Sequence, residues 1–95
     1  MADASAQFSV ADACISFTQA INDRHSLMSP DIAQDTGQDL FTWFKEKDGL
    51  SADRAPFAVR SVAMGTSALQ TGKSMSVDDI VDMIKSTYEH YTDGL

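Results

Sequence analysis

The eight residues Ser67-Ala68-Leu69-Gln70-Thr71-Gly72-Lys73-Ser74 (SALQTGKS) decide the fold class. They miss by a single position the phosphate-gripping loop G-x-x-x-x-G-K-[ST], which joins a strand to a helix in α/β proteins. That loop cradles phosphates with backbone N–H groups, so it needs glycine where the backbone comes closest. Ser67 stands where the first glycine belongs, and the residues before it carry apolar side chains at helical spacing. Ser67 to Gln70 therefore read as the last turn of a helix. Gly72 reads as its left-handed end, Lys73 as a cation beside the negative C-terminus, and Ser74 to Ser76 as a loop to the next cap. Nucleotide binding is not expected, and the chain reads as all-α.

Working outward, the helix that ends in this stretch runs over about 52–70, with Ser51 as N-cap and Pro56 in or near its first turn, where a missing N–H is harmless. It is apolar on two sides. Ala58, Val59, Val62, Thr66 and Leu69 make one face, while Phe57, Met64 and Ala68 make another nearly opposite. Its many small residues suit close helix approach, so it is expected at the centre of the fold. The next helix, about 77–93, starts with Ser76 as N-cap and Asp78 and Asp79 in the first turn, and Gly94 follows it. Val77, Ile80, Val81, Ile84, Tyr88 and Tyr91 share its inner face, with Lys85 placed to pair with Asp82 and Glu89 outside.

Upstream, Val10, Cys14, Phe17, Ile21 and Met28 form one stripe of a helix over about 10–28, with Ser9 as N-cap and Ile15 on the polar side. Residues 1–8 are expected to be frayed and 9–95 to form a single helical domain. The remaining helix, about 30–48, opens on Ser29-Pro30-Asp31 and closes at Asp48-Gly49. Thr36 followed by Asp39 marks an alternative fresh start, so a break near Gly37 is left open. No stretch alternates with the period of two that a half-buried strand requires. Four helices in a compact bundle is the expected architecture.

Composition bounds the function. The chain has 95 residues, 43% of them hydrophobic and 22% charged, enough for one small core. Fourteen acids, twelve of them Asp, stand against seven bases, for a net charge of −7. The bases are scattered, so direct nucleic-acid binding is not expected. Cys14 is the single cysteine, which excludes an intrachain disulfide. The first residues resemble no signal peptide and no stretch is apolar enough for a membrane span, so a cytoplasmic protein is expected, in the host cytoplasm if a virus or plasmid encodes it.

No catalytic, cofactor or metal site emerges. His25 sits at the edge of the first apolar stripe, His90 lacks a helical Glu-x-x-His partner, and the Asp-rich stretches place apolar residues at calcium-ligand positions. Cys14 occupies a core position. An enzyme is not expected. Phe41, Trp43, Phe57, Arg60 and Met64 are the candidate partner-binding residues, because aromatics and arginine dominate interface energetics. Asp31, Asp35, Asp39, Asp78 and Asp82 form a candidate acidic surface. The expected function is a small non-enzymatic interaction module, a regulator, adaptor or inhibitor. It would act on a protein partner, one with a basic surface fitting best, and would form a homodimer. The alternative is an acidic nucleic-acid mimic that inhibits a DNA- or RNA-binding enzyme, as small phage-type inhibitors do.

Overall fold

The computed structural model describes residues 4–24, 30–71 and 75–93. It contains four helices, α1 (Ala4–Arg24), α2 (Pro30–Asp48), α3 (Ala55–Gln70) and α4 (Val77–Thr92), and no strand among the described residues. The all-α bundle is as expected. α1 packs against α2 on one side and α3 on the other, and α4 packs on α3. The centre is thus shared by α1 and α3 rather than held by α3 alone. The smallest dimension is 17 Å, which is the thickness of two helix layers at ordinary interaxial distances.

The core follows the stripes. Val10, Cys14, Phe17 and Ile21 of α1 are buried with Leu40 and Phe44 of α2, Val62 and Leu69 of α3, and Ile80, Ile84 and Tyr88 of α4. α2 and α4 touch only slightly along their backbones, and aromatic rings fill the seam between them. Phe44 and Tyr88 meet edge to face at 4.9 Å, and Trp43 meets the same two rings at 5.2 and 5.8 Å. Such T-shaped contacts place the positive edge of one ring on the negative face of another.

Two glycines set the helix separations. A Cβ on Gly37 would collide with the Thr18 hydroxyl and lie 3.2 Å from the Cys14 carbonyl oxygen. A Cβ on Gly65 would collide with Ile84, whose Cγ1 is 2.7 Å away. α1 thus crosses α2 at Gly37, and α4 crosses α3 at Gly65. This settles the open break near Gly37: α2 is continuous, because the glycine is held inside it by the helix it touches. Thr36 caps nothing and donates its hydroxyl to the Ile32 carbonyl one turn back, at 2.9 Å.

Other boundaries move. α1 begins at Ala4, not near Ser9, because Ala6 reaches the core and holds the first turns; Ser9 donates to the Ser5 carbonyl at 3.0 Å instead of capping. Residues 4–8 thus belong to the first turns of α1. α3 begins at Ala55, and residues 52–54 form a turn in which the Ser51 carbonyl accepts from Arg54 and Ala55 N–H. The cause lies just before it. Gly49 and Leu50 both adopt positive φ, 66° and 55°, and Leu50 is 1% exposed. Left-handed geometry costs a leucine about 1 kcal/mol, less than the roughly 1.5–3 kcal/mol from burying its side chain. Pro56 falls in the first turn of α3, as its missing N–H requires. Ser76 caps α4 as expected, accepting from Asp79 N–H at 3.1 Å. The readings placed on His25, Met28, Ser29, Gly72 to Ser74 and Gly94 lie outside the described residues.

Candidate interaction surface

The buried stripe of α1 leaves an opposite side that water does not favour. Phe8 is 73% exposed and Ile15 56%. They are seven residues apart, which on a helix means about 20° apart in direction and two turns along the axis. Ala11 lies between them and is partly covered. This ridge runs between two grooves, and Ile15 lines both. The groove toward α2 has a volume of about 570 Å³. Its floor holds Cys14, Thr18 and Gly37, its walls carry Ala11, Ile15 and Phe41, and its polar lining is amide-rich, with Gln19, Asn22, Gln34 and Gln38. The groove exists because Gly37 lets α2 settle deeply against α1, leaving Phe41 half-covered at the seam.

The floor is chemically quiet. Cys14 is 4% exposed, and burial pushes its thiol from 9.0 up to about 12, so it stays a neutral thiol. The Thr18 hydroxyl donates to the Cys14 carbonyl at 2.9 Å. Among the described residues, no group of three or more His, Cys, Asp or Glu side chains is placed to hold a metal ion. No helix of the described residues is long and apolar enough to cross a membrane.

Of the acids on α1 and α2, Asp12 lines a groove beside the ridge, the one toward α3. Asp12 and Asp23 on α1 and Asp31, Asp35 and Asp39 on α2 are all exposed. The base within the same stretch of described residues, Arg24, turns its guanidinium toward the Ala68 and Leu69 carbonyls at the end of α3, at 3.5 and 3.4 Å. A cation there is favourable to the helix dipole.

The five candidate partner-binding residues are dispersed. Phe57, Arg60 and Met64 share one side of α3, where Phe57 lies 6.1 Å from the Tyr91 ring and Arg60 6.0 Å. Met64 is 37% exposed there. Phe41 and Trp43 leave opposite flanks of α2: Phe41 enters the α1–α2 groove, and Trp43 turns to α4. The Trp43 ring lies 5.1 Å from Lys47 Nζ and 5.6 Å from Lys85 Nζ. Lys85 therefore faces the indole, and Glu89 pairs with Lys47 at 3.5 Å. Phe41, Trp43 and Phe57 are all half-buried against the core. Asp78 and Asp82 on α4 are exposed like the three on α2.

Phe8 was missed because it was grouped with the frayed terminus. Its signal is its phase: it stands seven residues before Ile15, which likewise faces away from the stripe. No protein-family model matches the chain, and comparison with curated proteins and with solved structures finds no match.

Proposed function

We propose that the protein is a small non-enzymatic interaction module, a regulator, adaptor or inhibitor, whose partner covers the outer ridge of α1. The observation that carries this is the pair Phe8 and Ile15, 73% and 56% exposed at two-turn spacing, whereas Ile32 on α2 and Met64 on α3 are exposed singly. Covering a large apolar side chain is worth about 1.5–3 kcal/mol, so this pair and Phe41 supply the centre of a contact. Asp12, Ser16 and Gln19, exposed in the grooves on either side, supply a polar rim, the usual anatomy of a protein interface.

The homodimer on the Phe57–Met64 side of α3 has weaker support. Tyr91 already leans on Phe57, which leaves Met64 as the exposed apolar residue of that side. The acidic-mimic reading stands second. Asp31, Asp35 and Asp39 are exposed at four-residue intervals, which on a helix is about 6 Å. A DNA strand carries one charge per about 3.4 Å of axis. The row therefore reaches about half the linear charge density it would have to imitate.

Capture from cells of the source organism tests the proposal, using the wild-type protein beside a Phe8→Ser/Ile15→Ser double variant with unchanged helical circular dichroism. A specific partner should be retained by the wild type and by Met64→Ser, and lost by the double variant. Retention by the double variant removes the α1 ridge from consideration. Loss with Asp78→Asn/Asp82→Asn instead, together with competition by DNA, favours the acidic mimic.

A further inference from the structure

We infer that the α1–α2 groove is where the chain meets a second copy of itself, groove to groove, in a symmetric dimer; this rests on the interaction-module reading above and names the occupant. Lining, symmetry and chain direction lead there.

The chain holds six carboxamide side chains, and four of them, Gln19, Asn22, Gln34 and Gln38, line this one groove. No Asp, Glu, Lys or Arg lines it, although 22% of the chain is charged. The core of a protein interface is depleted of charge in the same way. The groove toward α3, by contrast, carries Asp12.

A two-fold contact sets each patch against itself. An unrelated partner can place a cation to match an acid, but a copy brings only the acid again. With a net charge of −7 per chain, two copies repel least where the meeting faces carry no charge. A carboxamide offers both a donor N–H and an acceptor C=O, so it pairs with its own kind. Among the described residues, none of the four has a hydrogen-bond partner within the chain. Both functions of each amide are thus free to exchange water for a second copy.

Joined by five residues, α1 and α2 are antiparallel neighbours. The lining is therefore sorted along the groove, with Ala11, Ile15 and Phe41 toward one end and the four amides toward the other. Turning one copy by half a revolution about an axis along the groove lays α1 of each against α2 of the other, again antiparallel. The result is an up-and-down arrangement of four helices. Ile15 then meets Phe41 of the second copy and Gln19 meets Gln38 of the second copy, so apolar ends meet and amides meet amides. From Ala11 to Asn22 the groove covers 11 residues of helix, about 16 Å. That is short for an interface of about 800 Å² per partner, so the dimer is a weak one of the micromolar-to-millimolar range.

Sedimentation equilibrium of the full chain up to about 1 mM tests this, with amide shifts followed by NMR over the same range. Self-association should appear, with shifts at Ile15, Gln19, Gln38 and Phe41. It should tighten as salt rises from about 0.01 M to about 0.15 M, because the screening length falls from about 30 Å to about 8 Å and the two acidic chains repel less. Gln38→Glu keeps the shape of an exposed side chain and sets a carboxylate without a cation into the contact twice. Its dimer dissociation constant should rise at least about tenfold, with helical circular dichroism unchanged. Ile15→Asp, at a position 56% exposed, should do the same from the apolar end. A monomer at about 1 mM in both salts, a dimer indifferent to both variants, or one broken by Met64→Ser instead would each overturn the inference. If the chain stays monomeric while cell capture still depends on Phe8 and Ile15, the interaction-module proposal stands and the second copy falls. If the dimer behaves as expected while the Phe8→Ser/Ile15→Ser variant captures the same cellular partner, the dimer stands and the α1 ridge falls.

Discussion

Gly37→Ala should destabilise the protein, and Thr18→Ala should reverse that sign. Glycine inside a helix is unfavourable by about 1 kcal/mol relative to alanine, so on a free surface the substitution would stabilise. At position 37 the new methyl would overlap the Thr18 hydroxyl and stand 3.4 Å from Thr18 Cβ and 3.2 Å from the Cys14 carbonyl oxygen. Overpacking of this kind costs about 1–3 kcal/mol. Turning the threonine aside relieves part of it but gives up the 2.9 Å hydrogen bond to Cys14, worth about 0.5–1.5 kcal/mol. The terms leave a net loss of about 1–2 kcal/mol, or about 4–8 °C in Tm for each kcal/mol in a domain of this size. Removing the Thr18 side chain beyond Cβ leaves only the tight approach to the carbonyl, so in the Thr18→Ala background Gly37→Ala should be neutral or stabilising by up to about 1 kcal/mol. Urea unfolding followed through Trp43, the single tryptophan, reads all four proteins of this cycle. A stabilising effect with Thr18 intact, or the same cost in both backgrounds, would show that α1 and α2 do not meet at Gly37.

Cys14 gives a pH prediction. Burial raises its thiol in the folded state from 9.0 to about 12, so the unfolded chain loses its proton first. The stability it supports is complete below about pH 9 and is lost as pH rises toward 12, at about 1.4 kcal/mol per pH unit. The slope of unfolding free energy between pH 8 and pH 10 should therefore be shallower in Cys14→Ala, in which other alkaline titrations are shared and cancel. Ser76→Ala removes the acceptor of the Asp79 N–H bond at the start of α4. It should cost about 1 kcal/mol, with Ser76→Asp or Ser76→Asn restoring most of it; thermal melts check both.

The elements were legible because they are strongly periodic and plainly punctuated. Ser76 with Asp78 and Asp79 announces α4, and Asp48-Gly49 announces the end of α2, which Gly49 closes with φ 66°. What failed were positions where a distant contact overrides a local signal. Gly37 looks like a helix breaker in isolation, yet it is where α1 rests. Ser51 looks like a cap, yet buried Leu50 turns the chain so that the helix begins later. Neither Thr18 nor the space for Leu50 can be seen from neighbouring residues. The same limit explains α3, whose buried face includes Ser61 and Gly65. Hydrophobicity does not mark them, because their value is small size, and the Ser61 hydroxyl is satisfied by the Phe57 carbonyl at 2.8 Å.

The candidate surface was less legible for a related reason. Large aromatics are the natural suspects for an interface, but in so small a domain the same residues are needed to close the core. Trp43 and Phe44 fill the seam between α2 and α4, and Phe57 does similar duty beside Tyr91. The residues left outward are then those whose phase opposes a complete buried stripe. On α1 that stripe is satisfied by Val10, Cys14, Phe17 and Ile21, each at most 4% exposed. Phe8 and Ile15 contribute nothing to it, so replacing them should leave folding intact and remove only what the outer ridge does. That separation is what makes the ridge testable, and the aromatic cluster at Trp43, where folding and contact are entangled, is not.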